Sequence, residues 1–114
     1  MAVPKILIHI SDRDKWASVL SQIDQMLDTN GGTSPELTVI ADVFAGGVCV
    51  ACSPHLRQQM ADSVQKGCRI LVCEGSLRLL NLKPENLPDF AQTIPTGIKE
   101  IVRLQDEGFH YVKV

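Results

Sequence analysis

Short apolar runs alternate with helical patterns along this chain of 114 residues, and this alternation constrains its fold more than any other feature. The segments KILIHI (5–10), ELTVIADV (36–43) and CRILVC (68–73) are typical of short strands that are buried on both faces. Weaker runs at 90–94 and 109–112 predict two further strands. Strands that alternate with helices require right-handed crossovers, which place helices on both faces of a parallel sheet. We therefore expect a single α/β domain over residues 1–114, a three-layer α/β/α sandwich around a mostly parallel five-stranded sheet.

Apolar spacing and capping residues predict the first two helices. The first helix follows a capping aspartate, Asp12 or Asp14, and ends in the turn TNGGTSP (29–35). Its apolar residues recur at helical spacing and lie along one face: Trp16, Val19, Leu20, Ile23, Met26 and Leu27. The second helix begins after an N-cap at Ser53 and ends at Gly67. Its apolar stripe consists of Leu56, Met60 and Val64.

The C-terminal half predicts a short helix and a longer one. The short helix starts at Ser76 and is limited by Pro84, whereas Thr96 caps the last helix and Gly108 ends it. The residues of the last helix that we expect to face the interior, or nearly so, are Ile98, Ile101, Val102 and Gln105. Segment 44–53, FAGGVCVACS, is predicted to be a loop.

Charge and hydropathy exclude several classes of partner. The net charge is −2 and the isoelectric point is near 5.8, so the chain lacks the basic field that nucleic-acid binding requires. Its apolar runs are far shorter than the roughly 20 residues that span a membrane. The N-terminal segment MAVPKILIHI has no signal-peptide pattern, so we expect a cytoplasmic protein. Its four cysteines are therefore expected to be reduced thiols.

The position of each cysteine relative to the strands separates the reactive candidates from the others. Ligands and reactive groups of an open parallel sheet gather beyond the carboxyl ends of its strands. Cys73 ends the third strand, and Cys49 and Cys52 follow the second, so these three thiols belong to that rim. Cys68 begins the third strand and belongs to the opposite rim, where we expect it to fill space.

Cys73 is the candidate catalytic residue. Its sulfur precedes a helix start, where backbone N–H groups around Gly75 and Ser76 and the nearby Arg78 would favour the thiolate, the nucleophilic form of cysteine. Gly75 also keeps the approach to the sulfur open. The alternative is that Cys73 is a small buried hydrophobic residue, which is the commonest role of a cysteine at a strand end.

Two further groups of residues are weaker candidates. Cys49 and Cys52 form a CxxC followed by His55, but the chain has no second CxxC or HxxxH to complete a zinc site, so we predict no metal. These two thiols are instead redox-active, ligand-binding or packing residues, or they bind a metal shared with a second subunit. His9 lies near the carboxyl end of the first strand and is a supporting candidate, although a histidine on a buried strand is more often structural.

The C-terminal half resembles a known family. The runs LVCEGSLRLLNLKPENL (71–87) and IPTGIKEIVRLQDEGFHYVKV (94–114), with KILIHISD (5–12) at the front, are similar to the DsrE/DsrF-like (YchN-like) proteins. The resemblance implies an α/β/α fold that assembles as a homotrimer or homohexamer. It also implies sulfur transfer, because the better-understood members carry sulfur as a persulfide on a cysteine at the position of Cys73.

The residues and the resemblance together lead to two functional hypotheses. The first is a sulfur carrier or sulfurtransferase-like protein without a cofactor, in which Cys73 exchanges sulfur with a donor or acceptor protein. Cys49 or Cys52 could then resolve the persulfide as a disulfide, and these two extra thiols depart from the family pattern. The second is a non-catalytic homo-oligomeric module that binds a small ligand or metal at a subunit interface.

Overall fold

The computed structural model describes residues 3–27 and 34–114. Its centre is a five-stranded sheet in the spatial order β4-β3-β2-β1-β5, in which every neighbouring pair is parallel. The strands are β1 (Lys5–Ile10), β2 (Glu36–Ala41), β3 (Arg69–Cys73), β4 (Ala91–Ile94) and β5 (His110–Lys113). The predicted parallel α/β sheet is confirmed.

In the part of the chain that the structure describes, five α-helices connect the strands. They are α1 (Trp16–Leu27), α2 (Val43–Val48), α3 (Pro54–Gln65), α4 (Glu74–Leu79) and α5 (Gly97–Asp106). Two 3-10 turns, Arg13–Lys15 and Pro84–Asn86, precede α1 and β4. Within the described ranges, no helix has both the length and the apolar composition needed to cross a membrane.

Alternating strand residues divide the core into two layers, because successive side chains of a strand point to opposite faces. One face packs against α1 to α4, and its buried residues include Ile8, Ile10, Val39, Ala41, Ile70 and Val72. The indole of Trp16 enters this layer and donates a hydrogen bond to the Ala45 carbonyl oxygen at 3.0 Å. The other face packs against α5 through Leu7, Ile40, Leu71, Ile94 and Leu104. The sheet is thus the middle layer of three, as expected.

Local capping explains where the longer helices begin and end. The Ser53 hydroxyl accepts a hydrogen bond from the Leu56 N–H at 3.2 Å, and the Thr96 hydroxyl accepts one from the Lys99 N–H at 3.3 Å. Gly108 follows α5 with φ of +98°, the left-handed conformation that glycine adopts without strain. These caps confirm the predicted helix ends. Asp12 holds the N-cap position before the first 3-10 turn, but its side chain makes no capping hydrogen bond.

Segment 44–53 corrects one prediction, because most of it is helical. The helix α2 begins at Val43, directly after Asp42, and Gly46 within it packs against Ser76 of α4. Two glycines and two valines disfavour a helix by intrinsic propensity, and the tertiary contact with α4 overrides that preference. The helix α4 also begins earlier than predicted, at Glu74 instead of Ser76. The predicted turn over residues 29–35 lies mostly outside the described residues.

The orientation of α5 corrects a second prediction. Its residues Ile98 and Val102 are 77% and 51% exposed, and Gln105 is also exposed, whereas Leu104 is buried. Only Ile101 of the four predicted inward residues is half-buried. The helix contacts the sheet through the narrow stripe of Gly97, Ile101 and Leu104. Because each helical residue turns by about 100°, Ile98 and Val102 point sideways from this stripe.

We predict that Gly46→Ala destabilises the protein. A Cβ at this position would lie 2.9 Å from the Ser76 Cβ and 3.3 Å from the Val72 Cγ1, so α2 would have to move away from α4. Overpacking of this kind costs about 1–3 kcal/mol, which urea unfolding followed by circular dichroism would measure. Gly75→Ala is the matched control, because it also adds a methyl group to a short helix but meets no atom closer than 3.5 Å. Equal stability of the two variants would contradict the prediction.

Candidate functional site

Polar side chains meet at the carboxyl ends of β1, β2 and β3, on the sheet face that α5 covers. Leu7, Ile40 and Leu71 point toward α5, so the residues two positions later, His9, Asp42 and Cys73, belong to the same face. The register pairs Ala41 with Val72, which places Asp42 beside Cys73 at the rim. Two of the candidate residues from the sequence, His9 and Cys73, thus lie at the same rim of the sheet.

The start of α5 borders both Asp42 and Cys73. A Cβ on Gly97 would lie 3.9 Å from the Asp42 Oδ2 and 4.0 Å from the Cys73 Cβ, so both side chains lie next to the first residue of this helix. The first turn of a helix carries N–H groups without helical acceptors and a partial positive charge. A carboxylate at this position is therefore stabilised by the helix that it faces.

Asp42 is the centre of a hydrogen-bond network. Its Oδ2 is 2.7 Å from the His9 Nε2, and its Oδ1 accepts a hydrogen bond from the Ser11 hydroxyl at 2.6 Å. The His9 Nδ1 is 2.7 Å from the Tyr111 hydroxyl, and the Lys113 ammonium donates to the Ser11 Oγ at 3.0 Å. The network thus links three neighbouring strands, β2, β1 and β5, at one rim.

The chemistry of the carboxylate determines the tautomer of His9. An ionised carboxylate only accepts hydrogen bonds. The His9 Nε2 therefore carries a hydrogen and donates it in the hydrogen bond to Asp42. In the neutral ring the Nδ1 is then an acceptor, and the Tyr111 hydroxyl donates to it. Asp42 thereby orients His9, and His9 in turn orients Tyr111.

Cys73 is half-buried and is the N-cap residue of α4. Its Sγ would lie 3.5 Å from a Cβ on Gly75, and the Arg78 Nη2 would lie 3.8 Å from the same point. The thiol and the guanidinium therefore both border Gly75, as the sequence suggested. Ser76 instead packs against Gly46 of α2 and is 4% exposed, so its hydroxyl is a packing contact between the two helices.

Burial separates two of the remaining cysteines from Cys73. Cys49 is fully buried, and this burial, together with the neighbouring Cys52, raises the pKa of its thiol to about 12. Burial likewise raises the pKa of the Cys68 thiol to about 12. Cys49 packs in the core on the α1 to α4 side of the sheet, whereas Cys73 lies on the α5 side. The structure thus does not bring Cys49 to Cys73, because the sheet separates them.

Cys52 is half-buried and remains the second accessible thiol. It lies near Cys49, whose thiol it influences electrostatically, and neither forms a disulfide. In residues 3–27 and 34–114, no three histidine, cysteine or acidic side chains are grouped so that they could hold a metal ion. His55 therefore does not complete a three-ligand site with the CxxC.

Sequence reasoning identified His9 but missed Asp42, Ser11, Tyr111 and Lys113. Asp42 falls at the end of the segment that we predicted as strand, and Tyr111 and Lys113 lie on an edge strand that pairs with β1 although it is last in the chain. A signal was present in the polar residues that follow β1 and β2, since parallel strands end at one rim. The pairing of β5 with β1 was not evident from the sequence.

Val43, which follows Asp42, has φ of +50°, a left-handed conformation that is unfavourable for a β-branched residue. Such residues store about 1–3 kcal/mol of strain and persist only where surrounding contacts hold them. Here the turn from β2 into α2 takes place at this residue. The strain thus lies at the residue next to the centre of the network.

No family model and no curated protein matches this chain. Among solved structures, it is similar to MTH1491 from Methanobacterium thermoautotrophicum, a protein of unknown function, with a TM-score of 0.83 and 20% sequence identity. The alignment covers 97% of this chain and 99% of the other. This likeness establishes the α/β fold.

The two buried thiols predict a pH dependence of stability. Unfolding returns Cys49 and Cys68 to water, where a thiol has its ordinary pKa of 9.0, whereas in the folded chain both values are about 12. The folded chain therefore keeps protons that the unfolded chain loses between these values, and the free energy of unfolding falls as the pH rises through this window. Urea unfolding at a series of pH values would measure the fall. Cys68→Ala should make it shallower, and an unchanged slope in this variant would contradict the prediction.

Proposed function

We propose that this protein is a sulfur carrier that holds sulfane sulfur as a persulfide on Cys73 and passes it to another thiol. The observation that supports the proposal is the contrast between the thiols: Cys73 is half-buried at the carboxyl rim beside Arg78, whereas Cys49 and Cys68 are sealed in the core. The resemblance of residues 71–87 and 94–114 to DsrE/DsrF-like proteins points to the same cysteine. We also propose that the protein works in a reducing compartment such as the cytoplasm, where Cys73 would remain a free thiol.

The proposed transfer conserves atoms and electrons. The Cys73 thiolate attacks the outer sulfur of a donor persulfide, R–S–SH. A new bond forms between the Cys73 sulfur and that sulfur, the S–S bond of the donor breaks, and the donor leaves as the thiolate R–S⁻. The reverse attack by an acceptor thiolate removes the sulfur and restores the Cys73 thiolate, so no external oxidant or reductant is consumed.

The surroundings of Cys73 suit an anionic sulfur. The guanidinium of Arg78 is permanently charged and lies on the same side of Gly75 as the thiol, so it can pair with a thiolate or a persulfide anion. The missing side chain of Gly75 leaves space next to the Sγ into which a second sulfur atom can extend. Two acids adjoin Cys73: Glu74, the next residue, opposes a negative charge on the sulfur, whereas Asp42 across the rim already accepts hydrogen bonds from His9 and Ser11 on its two oxygens.

Intact-mass measurement after incubation with polysulfide tests the proposal. We expect a gain of one sulfur atom that disappears on reduction and is absent from Cys73→Ser. Cys52→Ser is the matched control, since it removes the other partly exposed thiol and should keep the adduct. An adduct that persists in Cys73→Ser and is lost in Cys52→Ser would overturn the assignment to Cys73.

We also propose that the chain assembles with itself, as a homotrimer or homohexamer. The support is that the folded chain leaves apolar side chains exposed on both sides of the sheet: Ile98 and Val102 lie one turn apart on α5, and Leu79 on α4, on the opposite side, is 65% exposed. Ile98 directly follows Gly97, so an assembly that covers it would also close over the rim that holds Asp42 and Cys73. The alternative function, a non-catalytic module that binds a small ligand or metal at a subunit interface, depends on this same surface.

We predict that Ile98→Lys weakens the assembly. Burying an unpaired ammonium at an apolar interface is strongly unfavourable, so the variant should shift toward the monomer in sedimentation velocity at low micromolar concentration. Lys99→Ala, at the next and exposed position of the same helix, is the control and should leave the assembly unchanged. A monomeric wild-type chain, or an assembly that tolerates Ile98→Lys, would contradict the prediction.

A further inference from the structure

The network at the rim ends in a hydroxyl group that the sulfur chemistry does not use. Tyr111 lies on the edge strand β5, with β1 and β2 between it and Cys73 on β3. Its phenol is 2.7 Å from the His9 Nδ1, while the His9 Nε2 is 2.7 Å from the Asp42 Oδ2. An acid that orients an imidazole, which in turn contacts a hydroxyl, is the arrangement that activates a hydroxyl toward proton transfer.

Of the three side chains in the row, Tyr111 is the most exposed and His9, in the middle, is the least exposed. Tyr111 is 40% exposed, whereas the side chains of Asp42 and His9 are only 22% and 13% exposed. The imidazole is therefore shielded from water, and the phenol is the member of the network that an external molecule can reach. Since Tyr111 donates its proton to the His9 Nδ1, its oxygen retains lone pairs that can accept a proton from outside.

Lys113 gives this end of the network a positive charge. It lies two residues after Tyr111 and thus on the same face of β5, and its ammonium donates to the Ser11 Oγ at 3.0 Å and to a main-chain oxygen of Val114 at 3.2 Å. An ammonium has three N–H groups, so it can also contact an anionic ligand. The acceptor oxygen of Tyr111 and the cation of Lys113 are therefore carried on the same face of β5, two residues apart.

We propose that Tyr111 is the acid–base residue of a second site, with His9 as its base, Asp42 as the positioning residue and Lys113 as the anion-binding residue. The ligand class that this site fits is a small anion carrying a hydroxyl or thiol group. The proposal does not rest on the persulfide chemistry at Cys73.

The proton transfer balances within the network. The ligand's O–H or S–H bond breaks and its electron pair stays on the ligand, while the proton passes to the Tyr111 oxygen. The phenol proton moves to the His9 Nδ1, and the resulting imidazolium remains beside the Asp42 carboxylate. The charged groups that face His9 are Asp42 and, through Ser11, Lys113, with Tyr111 as the neutral partner.

A benzenesulfonyl fluoride tests whether the phenol is activated. In this reaction the Tyr111 oxygen bonds to sulfur, the S–F bond breaks, fluoride leaves, and the phenol proton goes to His9. The chain contains one tyrosine, so peptide mapping assigns a tyrosine label without ambiguity. We expect labelling at Tyr111 at neutral pH.

Variants of His9 and Asp42 show whether Tyr111 reacts because the network activates its phenol or only because the phenol is exposed. His9→Gln and Asp42→Asn should slow Tyr111 labelling by about tenfold or more, since general bases contribute about 10²–10⁴-fold. His110→Gln is the matched control, because this histidine adjoins Tyr111 in sequence but points to the opposite face of β5 and should leave the rate unchanged. Equal labelling rates in wild type and His9→Gln would overturn the proposal.

Two measurements on correctly folded protein complete the test. Nitrogen-15 spectra of the wild-type histidines should show His9 protonated on Nε2, and an Nδ1-protonated ring would overturn the proposed direction of transfer. A sulfonyl fluoride with a para carboxylate should label Tyr111 faster than one with a para aminoethyl group, and Lys113→Gln should abolish that difference. The absence of any difference in wild type would exclude an anionic ligand.

Discussion

The parallel pairing of β1, β2 and β3 is the constraint on which the rest of the structure depends. These strands are buried on both faces, so helices must cover both sides, and each strand must be followed by a crossover. All the strands then end at the same rim. The side chains that follow the apolar stretches, among them His9, Asp42 and Cys73, are gathered there without any direct sequence relationship between them.

Asp42 is a residue of this rim whose side chain the fold holds in one specific orientation. It accepts hydrogen bonds on both oxygens, from Ser11 and His9, and its Oδ2 lies next to the first residue of α5. These contacts come from the end of β1 and from the start of α5, and the strained Val43 follows immediately in the chain. Such a carboxylate is held in one orientation, and that orientation determines which nitrogen of His9 carries the proton.

Burial separates Cys49 and Cys68 from the thiols that solvent can reach. Cys49 and Cys68 are packed as small apolar residues whose raised pKa values keep them protonated. Cys73 and Tyr111 instead lie at the two ends of one polar row, on β3 and β5, with Asp42 and His9 between them. The chain thus presents a thiol and a phenol on the same face, each beside its own cation, Arg78 or Lys113.

The sequence by itself determined the order of the strands along the chain, the caps of α3 and α5, and the position of Cys73 at the end of β3, because these features depend on local periodicity and on single capping residues. Tertiary structure decided the helical state of Val43–Val48, the outward orientation of Ile98 and Val102, and the separation of Cys49 from Cys73. It also decided the network around Asp42, since β5 pairs with β1 from the far end of the chain. Contacts between residues about 100 positions apart, such as His9 and Tyr111, leave no periodic signal in the sequence and arise only when the sheet is assembled.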